Sequence, residues 1–277
     1  MLWRQNRMII DANFFENLSD DLKRIVTDAS KAIMSVYEKN TLDTEIKSDG
    51  SPVTEADEKA NKIIIQSLNI VSPNISIVSE ETFDKGTEIP HEPYWLVDPL
   101  DGTKEFINKS KDFTVNIALI EEGKPVYGII CAPVTGQIWS GSCFQKSLPN
   151  ENIVSTLRIV MSKSHQTKTD KEFLEFLENL NISYQIIEKG SSLKLCALSD
   201  NSADIYPRFG PTSEWDIAAG HAILSSRGGS IFQLSNCKEL AYSKKDTILN
   251  PAFAAFRNKY LKDTYLPILS EFYKKLV

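Results

Sequence analysis

The sequence has few cysteines, no long apolar run and no surplus of positive charge, and each absence excludes a class of protein. The four cysteines, Cys131, Cys143, Cys196 and Cys237, form no C-x-x-C pair or Cys/His cluster, so neither a zinc knot nor a disulfide framework is expected. No segment approaches the ~18 apolar residues of a membrane-spanning helix, and MLWRQNRMII lacks the apolar core and cleavage site of a signal peptide. Lysine plus arginine number 31 against 37 acidic residues, which argues against nonspecific nucleic-acid binding. We therefore predict a cytoplasmic protein that is neither secreted nor inserted into a membrane.

The sequence does contain the pattern of an α/β protein in two parts. With 277 residues, of which 42% are hydrophobic and 25% charged, it is long enough for two units of ~100 to 200 residues. A polar stretch without periodicity, residues 147–156, marks the boundary between them. We predict an N-terminal α+β subdomain over 1–150 and a C-terminal α/β subdomain over 151–277.

Apolar periodicity predicts the secondary structure of both parts. Helical spacing favours helices near 18–39, 54–68, 168–179, 191–199, 214–226 and 259–275. Segments rich in β-branched and aromatic residues favour strands near 75–79, 94–98, 113–120, 125–131, 137–141, 157–161, 184–188, 203–208 and 229–233. A hairpin turn at 121–124 makes part of the first sheet antiparallel. Thr54 is expected to cap the second helix, with Glu55 and Asp57 as first-turn acids that suit the helix dipole.

The stretch WLVDPLDGTKEF, residues 95–106, carries the first chemical signal. Asp98 follows an apolar strand, and Pro99 is expected to end the strand, so that Asp98, Leu100 and Asp101 share a tight loop. Two carboxylates in one loop repel each other unless cations or protons intervene, and carboxylate and carbonyl oxygens are the ligands that Mg²⁺ takes. Gly102, which follows them, would offer a backbone N–H to an anion bridged by the metal. The alternative is an ordinary Asp-Pro turn followed by an Asp-Gly turn.

Further acidic residues in similar settings favour the metal-site interpretation. Glu80 and Glu81 end another apolar strand, Asp216 lies in the first turn of a small-residue helix, and Asp49 lies in a Gly/Pro loop before a helix. Taken alone, Asp216 is a typical helix-start acid and Asp49 a typical turn residue. Acidic strand-end and loop positions recurring across both predicted subdomains favour a shared site.

Six motifs give the sequence a resemblance to a known family. The runs DGSPVTEAD, VSEE, WLVDPLDGTKEFI, FTVNIALI, GSSLK and YPRFGPTSEWDIAAGHA, in this order, resemble the inositol-monophosphatase-like superfamily of metal-dependent, lithium-sensitive phosphatases. The DPLDGTKEF form, GSSLK and YPRFGPT are most similar to its CysQ branch, the bacterial 3'(2'),5'-bisphosphate nucleotidases. The resemblance covers roughly residues 18–255. It implies an alternating α-β-α-β-α layered sandwich of the inositol-monophosphatase and fructose-bisphosphatase type.

The resemblance also implies a metal site. By similarity, Glu80, Asp98 and the Leu100 carbonyl hold one Mg²⁺, while Asp98, Asp101 and Asp216 hold a second. The residues implied to orient the attacking water are Asp49, Thr54 and Thr103, with Asp49 linked to a third, weaker metal. The chemistry agrees, because metal coordination lowers the pKa of bound water far below ~15.7.

The substrate implied by this branch is adenosine 3',5'-bisphosphate, a by-product of sulfate assimilation, which is split to AMP and phosphate. The implied substrate-binding residues are Glu80, Leu100, Asp101, Gly102, Thr103, Ser191, Lys194, Arg208 and Asp216. Among them, residues 101–103 match positions on the scissile phosphate, and Ser191, Lys194 and Arg208 match the group that holds the remaining phosphate and nucleoside. Arginine and lysine near a helix start suit phosphate, although Lys194 as a solvated helix charge and Arg208 as a strand-end ion pair are the simpler structural readings.

Two other functions stay open. An inositol-1-phosphate phosphatase would use the same metal site but needs no contact to a second phosphate, and a catalytically silent nucleotide-binding regulator would keep the fold alone. A monomer or a homodimer is compatible with the resemblance. It also suggests peripheral association with the inner membrane, although no lipid anchor or strongly basic amphipathic helix is evident.

Overall fold

The computed structural model describes residues 10–39, 44–46, 52–84, 86, 88–90, 93–145, 155–162 and 167–277. The helices are α1 (Ala12–Tyr37), α2 (Glu55–Val71), α3 (Thr103–Ile107), α4 (Lys168–Asn179), α5 (Leu193–Ser199), α6 (Glu214–Ser226) and α7 (Lys259–Lys274). The strands are β1 (Thr44–Ile46), β2 (Pro52–Thr54), β3 (Ser76–Ser79), β4 (Tyr94–Asp101), β5 (Thr114–Glu121), β6 (Lys124–Ala132), β7 (Gln137–Ser142), β8 (Leu157–Met161), β9 (Tyr184–Glu188), β10 (Ile205–Arg208), β11 (Ser230–Gln233) and β12 (Phe253–Phe256).

Two five-stranded mixed sheets organise the fold. The first has the order β3-β4-β5-β6-β7, with β3 and β4 parallel and the other pairs antiparallel. The second has the order β11-β12-β10-β8-β9, with β8 parallel to both β9 and β10. The predicted hairpin between β5 and β6 is confirmed. β1 and β2 form a separate antiparallel pair.

The helices and sheets alternate in five layers. α1 and α2 cover one face of the first sheet, α5 and α6 lie between the two sheets, and α4 and α7 cover the far face of the second sheet. Strand alternation produces this arrangement: Tyr94 and Leu96 of β4 face the central helices, while Trp95 and Val97 face α1 and α2. The α-β-α-β-α layering expected from the resemblance is confirmed.

α6 is apolar on nearly all sides because it is buried between two sheets. Small residues let it approach the first sheet closely: a Cβ on Gly128 of β6 would lie 2.2 Å from the Ala219 carbonyl oxygen of α6. The helix ends at Ser226, and Gly228 adopts a positive φ of 84° just beyond it. This packing fixes the start of α6, which carries Asp216, against the first sheet.

Several boundaries differ from the sequence prediction. α1 starts at Ala12 rather than near residue 18, because Asp11 caps it by accepting a 2.9 Å hydrogen bond from Phe14 N. β12, α3 and the short β1 and β2 were not predicted, since runs of three to five residues carry little periodicity. The predicted boundary at 147–156 lies largely outside the described residues, and the division at 150/151 stays a prediction.

The prediction that Pro99 ends its strand is wrong. β4 continues through Asp101, with Asp98 paired to Asn116 and Asp101 paired to Thr114. Between these two pairs, β4 contains two residues and β5 contains one, which makes this point a β-bulge. The bulge removes Pro99 from the hydrogen-bonded ladder, so its missing N–H costs nothing there.

Within the described part of the chain, no helix is both long enough and apolar enough to cross a lipid bilayer.

Candidate active site

Three carboxylates converge where β3, β4 and α6 meet. Oxygen atoms of Glu80, Asp98 and Asp216 all lie within 4.8 Å of one another. Glu80 follows β3 and Asp98 lies in β4, and the parallel pairing of Ser79 with Val97 carries both chains to the same point. Asp216 reaches this point from the first turn of α6. Three of the acids singled out in the sequence, two at strand ends and one at a helix start, thus lie together in space.

Burial and mutual repulsion destabilise the charged forms of these acids. Burial raises the pKa of Asp98 well above its usual value, and the charges of Glu80, Asp101 and Asp216 raise it further. Burial likewise raises the pKa of Asp216, with added repulsion from Asp101 and Glu80. Oxygen ligands at this spacing, which need a compensating positive charge, fit a divalent cation.

Local hydrogen bonds fix the orientation of Asp216 and Asp98. Asp216 Oδ2 accepts 2.8 Å from Ser213 N as part of the capping box that starts α6. Asp98 Oδ1 accepts 3.1 Å from Leu100 N within the β-bulge. Each carboxylate is therefore held by its own backbone segment before any ligand arrives.

Asp101 lies beside this cluster and is tied to the central helices. Its Oδ2 accepts 2.6 Å from Ser191 Oγ and 2.7 Å from Ser192 N, with Asn116 Nδ2 at 3.5 Å. These donors occupy Oδ2, which leaves Oδ1 as the oxygen for a cation. Ser191, at a positive φ of 51°, also shares a 2.7 Å hydrogen bond with Thr114 Oγ1. The hydroxyl of Ser191 is thus engaged with Asp101 and Thr114, although its sequence-predicted role is to hold substrate.

Thr103 contacts Asp57, an acid that the sequence analysis did not assign to the site. Its Oγ1 lies 3.3 Å from Asp57 Oδ1 and 3.3 Å from the Leu100 carbonyl oxygen. Asp57 is buried, and its Oδ2 accepts 2.8 Å from Thr54 N and 2.6 Å from Thr54 Oγ1. The sequence analysis treated Asp57 only as a helix-start acid; the T-x-x-D capping pattern predicts its bond to Thr54 but not its contact with Thr103. Asp49 lies outside the described residues.

A cavity of about 380 Å³ opens beside the carboxylates. It brings together sequence-predicted residues from distant parts of the chain: Asp101, Gly102, Ser191, Lys194, Arg208 and Asp216. The short loop at Gly102 needs glycine, because φ there is +91° and a Cβ would lie 3.1 Å from the Asp112 carbonyl oxygen.

Two cationic side chains that line the cavity, Lys194 and Arg208, are incompletely paired. Lys194 is only 8% exposed, and burial lowers the pKa of its ammonium, while the nearby charge of Asp101 opposes that shift. Its Nζ lies 5.6 Å from the centroid of the Tyr206 ring. Arg208 Nη2 donates 3.1 Å to the Pro211 carbonyl, and Nε is buried without a partner among the described residues. A buried donor without a partner is costly, so this wall suits an anion.

Comparisons with known proteins agree with this geometry. The profile described as Inositol monophosphatase family matches residues 16–271. The 3'(2'),5'-bisphosphate nucleotidase CysQ of Shigella flexneri is 40% identical over 245 residues, covering 84% of this chain and 97% of that protein. The protein of the same name from Escherichia coli K12 is 39% identical over 245 residues, with the same coverage of both chains.

Solved structures show the same fold. CysQ from Bacteroides thetaiotaomicron, described as a bacterial member of the inositol monophosphatase family, superimposes with a TM-score of 0.75 at 32% identity, covering 90% of this chain and all of that chain (100%). An inositol monophosphatase (IMPase) from Thermotoga maritima superimposes with a TM-score of 0.73 at 18% identity, covering 94% of this chain and 100% of that chain. The chain belongs to the inositol monophosphatase family.

Proposed function

We propose that the protein is a metal-dependent 3'(2'),5'-bisphosphate nucleotidase that hydrolyses adenosine 3',5'-bisphosphate to AMP and phosphate. One observation carries the proposal: a cluster of carboxylates centred on the buried Asp98 adjoins a cavity that the buried Lys194 and the half-buried, incompletely paired Arg208 also line. Such a cavity suits a substrate with two phosphates, one beside the carboxylates and one on the cationic wall. The names of relatives that are about 40% identical support this substrate class.

The family is metal-dependent, and the acidic cluster has the ligand chemistry that Mg²⁺ requires. Glu80, Asp98 and Asp216 would hold a cation, with Asp101 Oδ1 and the Leu100 carbonyl available beside them. We propose two ions, and a third if the 47–51 segment supplies Asp49. When bound, such a cation lowers the pKa of coordinated water and neutralises charge on the phosphoryl group.

Thr103 and Asp57 are suited to orient the attacking water. When Thr103 Oγ1 donates its proton to Asp57 Oδ1, its lone pairs are left to accept a hydrogen bond from a water molecule. That bond holds the water by one of its protons and leaves its oxygen free to attack phosphorus in line. The two hydrogen bonds from Thr54 to Asp57 Oδ2 keep the carboxylate in place.

Lys194 and Arg208 are suited to the phosphate that is not cleaved. Hydrogen bonds between charged groups are stronger than neutral ones, and arginine can bind a phosphate through two N–H groups at once. A bound phosphate would give Arg208 Nε the acceptor it lacks and would compensate the burial of the Lys194 ammonium. An inositol monophosphate offers no such second group, which is why the nucleotide is the better candidate.

The test is phosphate release from adenosine 3',5'-bisphosphate and inositol 1-phosphate in parallel, with Mg²⁺, with EDTA, and with Mg²⁺ plus Li⁺. We expect release from the nucleotide that EDTA abolishes and Li⁺ inhibits. Faster release from inositol 1-phosphate would refute the substrate and keep the metal site. No release from either substrate would favour a catalytically silent nucleotide-binding protein.

Assembly and location also remain predictions. A monomer or a homodimer is expected, and sedimentation of the purified protein distinguishes the two. Peripheral association with the inner membrane is tested by fractionating cells at low and high salt, since an electrostatic attachment is released by salt.

A further inference from the structure

A buried polar bridge connects two of the acidic segments without using a ligand. Ser192 and Asn116 form the bridge, and they are 3% and 1% exposed, respectively. Asn116 lies in the FTVNIALI run and Ser192 in the GSSLK run. Neither residue is among the metal or substrate residues assigned above. The bridge therefore has no role yet in the proposed reaction.

Ser192 contacts both acidic segments at once. Its backbone N donates 2.7 Å to Asp101 Oδ2, and its hydroxyl donates 2.7 Å to the backbone carbonyl of Asp216. Asn116 Nδ2 donates 2.9 Å to the same hydroxyl. Thr114 Oγ1 lies 2.9 Å from Asn116 Oδ1 and 2.7 Å from Ser191 Oγ, and because Ser191 donates its own proton to Asp101, the one Thr114 proton is shared between these two acceptors. Ser192 is thus bonded to Asp101, to Asn116 and to the Asp216 carbonyl at once.

The bridge joins two elements that carry ligands of the acidic cluster. Asp101 ends β4 in the first sheet, and Asp216 starts α6 in the layer between the sheets. Their like charges favour separation when no cation lies between them. A divalent cation needs its oxygen ligands within about 0.2 Å of their ideal distances, so the separation of β4 and α6 at this point controls its affinity.

We propose that Ser192, supported by Asn116, is a positioning residue that sets the spacing of Asp101 and Asp216 for a divalent cation. The inference rests on the metal-dependent function proposed above. Ser192 acts through the carboxylates it holds, since its hydrogen-bonding groups are already engaged with the protein. A purely structural bridge would instead affect stability without affecting metal affinity.

The experiment compares Ser192→Ala with Ser270→Ala in the full-length protein. Ser270 is a matched control: it is also 3% exposed and donates 2.8 Å to a backbone carbonyl, that of Leu234, far from the carboxylates. Mg²⁺ is titrated into each metal-free protein by calorimetry without substrate, and thermal unfolding is measured alongside. We expect Ser192→Ala to bind Mg²⁺ about 10-fold more weakly than wild type, as for other groups that orient metal ligands. Ser270→Ala should lose comparable stability and keep wild-type affinity.

Kinetics supply a second readout. In Ser192→Ala, the Mg²⁺ concentration for half-maximal activity should rise by the same factor, while KM for the nucleotide at saturating Mg²⁺ should change by less than about twofold. Asn116→Ala removes the hydrogen bond to the Ser192 hydroxyl from the strand side. It replaces Ser192→Ala in both measurements if that variant does not fold. The double variant should bind Mg²⁺ no more weakly than the weaker single variant, because both changes break one unit.

Two results would overturn the inference. One is Mg²⁺ affinity of Ser192→Ala within about twofold of wild type, since groups that orient metal ligands contribute more than that. The other is an equal loss of affinity in Ser270→Ala, which would make the effect one of general stability. If wild type itself neither binds Mg²⁺ nor releases phosphate, the proposed function fails, and that result is seen before any variant is compared.

Discussion

At the scale of single residues, Asp98 is where function and stability oppose each other most clearly. It is 1% exposed and repelled by Glu80, Asp101 and Asp216, so burial in this setting is unfavourable without a cation. Proteins commonly retain such unfavourable groups at sites whose activity needs them. Asp98 should therefore favour catalysis but lower the stability of the metal-free protein.

We predict that Asp98→Asn lowers kcat/KM by about 100-fold or more, since even groups that only orient metal ligands contribute 10- to 100-fold. The same change should stabilise the metal-free protein at neutral pH by about 1 kcal/mol, because it removes a buried like charge and keeps the size of the side chain. Phosphate-release kinetics and urea unfolding in EDTA measure the two effects. Asp20→Asn, at a fully exposed position on α1, is the control and should change neither. A metal-free Asp98→Asn protein less stable than wild type would contradict the account of the cluster.

Lys194 tests the second phosphate separately from the metal site. We predict that Lys194→Met raises KM for adenosine 3',5'-bisphosphate by about 10- to 100-fold, which corresponds to losing one hydrogen bond between charged groups. Hydrolysis of 3'-AMP, which lacks the 5'-phosphate, should be nearly unaffected. Lys104→Met is the matched control, because Lys104 is exposed on the rim of the same cavity. Equal losses on both substrates would mean that Lys194 acts on the scissile phosphate or on folding.

At the scale of elements, the limits of sequence reasoning are visible in β4 and α6. The pattern of apolar residues located both elements. Pro99, however, led us to predict the end of the strand at a point where the structure has a β-bulge. A bulge depends on the partner strand, and the sequence of β4 alone does not identify β5 or its register. Asp57 was missed for a similar reason, since its contact with Thr103 joins the start of α2 to the start of α3. Helix-start acids and strand ends are local signals, whereas these contacts are tertiary.

In the second sheet, one buried acid joins three strands. Asp204, beside β10, accepts three hydrogen bonds from Arg158 of β8, at 2.9 Å from N, 3.0 Å from Nε and 2.7 Å from Nη2. Arg257, which follows β12, donates 3.1 Å from Nε to Oδ1, the oxygen that also accepts from Arg158 Nη2. Burial raises the pKa of Asp204, but the hydrogen bonds and charge of Arg158, with Arg257, outweigh it and hold the pKa below its usual value.

We predict that Asp204→Asn destabilises the protein by about 3 to 5 kcal/mol at pH 7, because it leaves two guanidinium groups without their counter-charge. Since the folded pKa lies below the unfolded value of about 3.9, acid protonates the unfolded chain first. The stabilisation is therefore complete above about pH 5 and falls as the pH drops through 4 toward the folded pKa. Urea unfolding between pH 7 and pH 3 should show the difference in unfolding free energy between wild type and variant narrowing below about pH 5. Asp263→Asn, at an exposed ion pair on α7, should change little at any pH, and a gap that is constant with pH would refute the prediction.

At the scale of the whole molecule, the layers could be predicted from the sequence, but the hydrogen bonds that connect them could not. The motif resemblance implied the α-β-α-β-α order, and apolar periodicity located most of the elements that form the layers. These connections are hydrogen bonds between residues that lie far apart in the sequence, such as those of Ser192 with Asp101 and Asn116. The resemblance singled out Ser191 of GSSLK and gave Ser192 no role, yet in the structure both serines bind Asp101, and Ser192 also donates to the Asp216 carbonyl.

A cation at the acidic cluster should stabilise the molecule as a unit, because Asp98 lies in the first sheet, Glu80 directly follows a strand of that sheet, and Asp216 lies in the helical layer beyond it. A ligand that binds only the folded state at 100 times its Kd stabilises that state by about 2.7 kcal/mol. For a chain of this size, about 2 to 4 °C per kcal/mol predicts a rise in Tm of about 5 to 10 °C. Scanning calorimetry across a Mg²⁺ series, with EDTA as the zero point, measures this rise. It should grow with the logarithm of Mg²⁺ concentration in wild type and be absent in Asp98→Asn; an equal rise in both would mean that Mg²⁺ stabilises the protein from some other place.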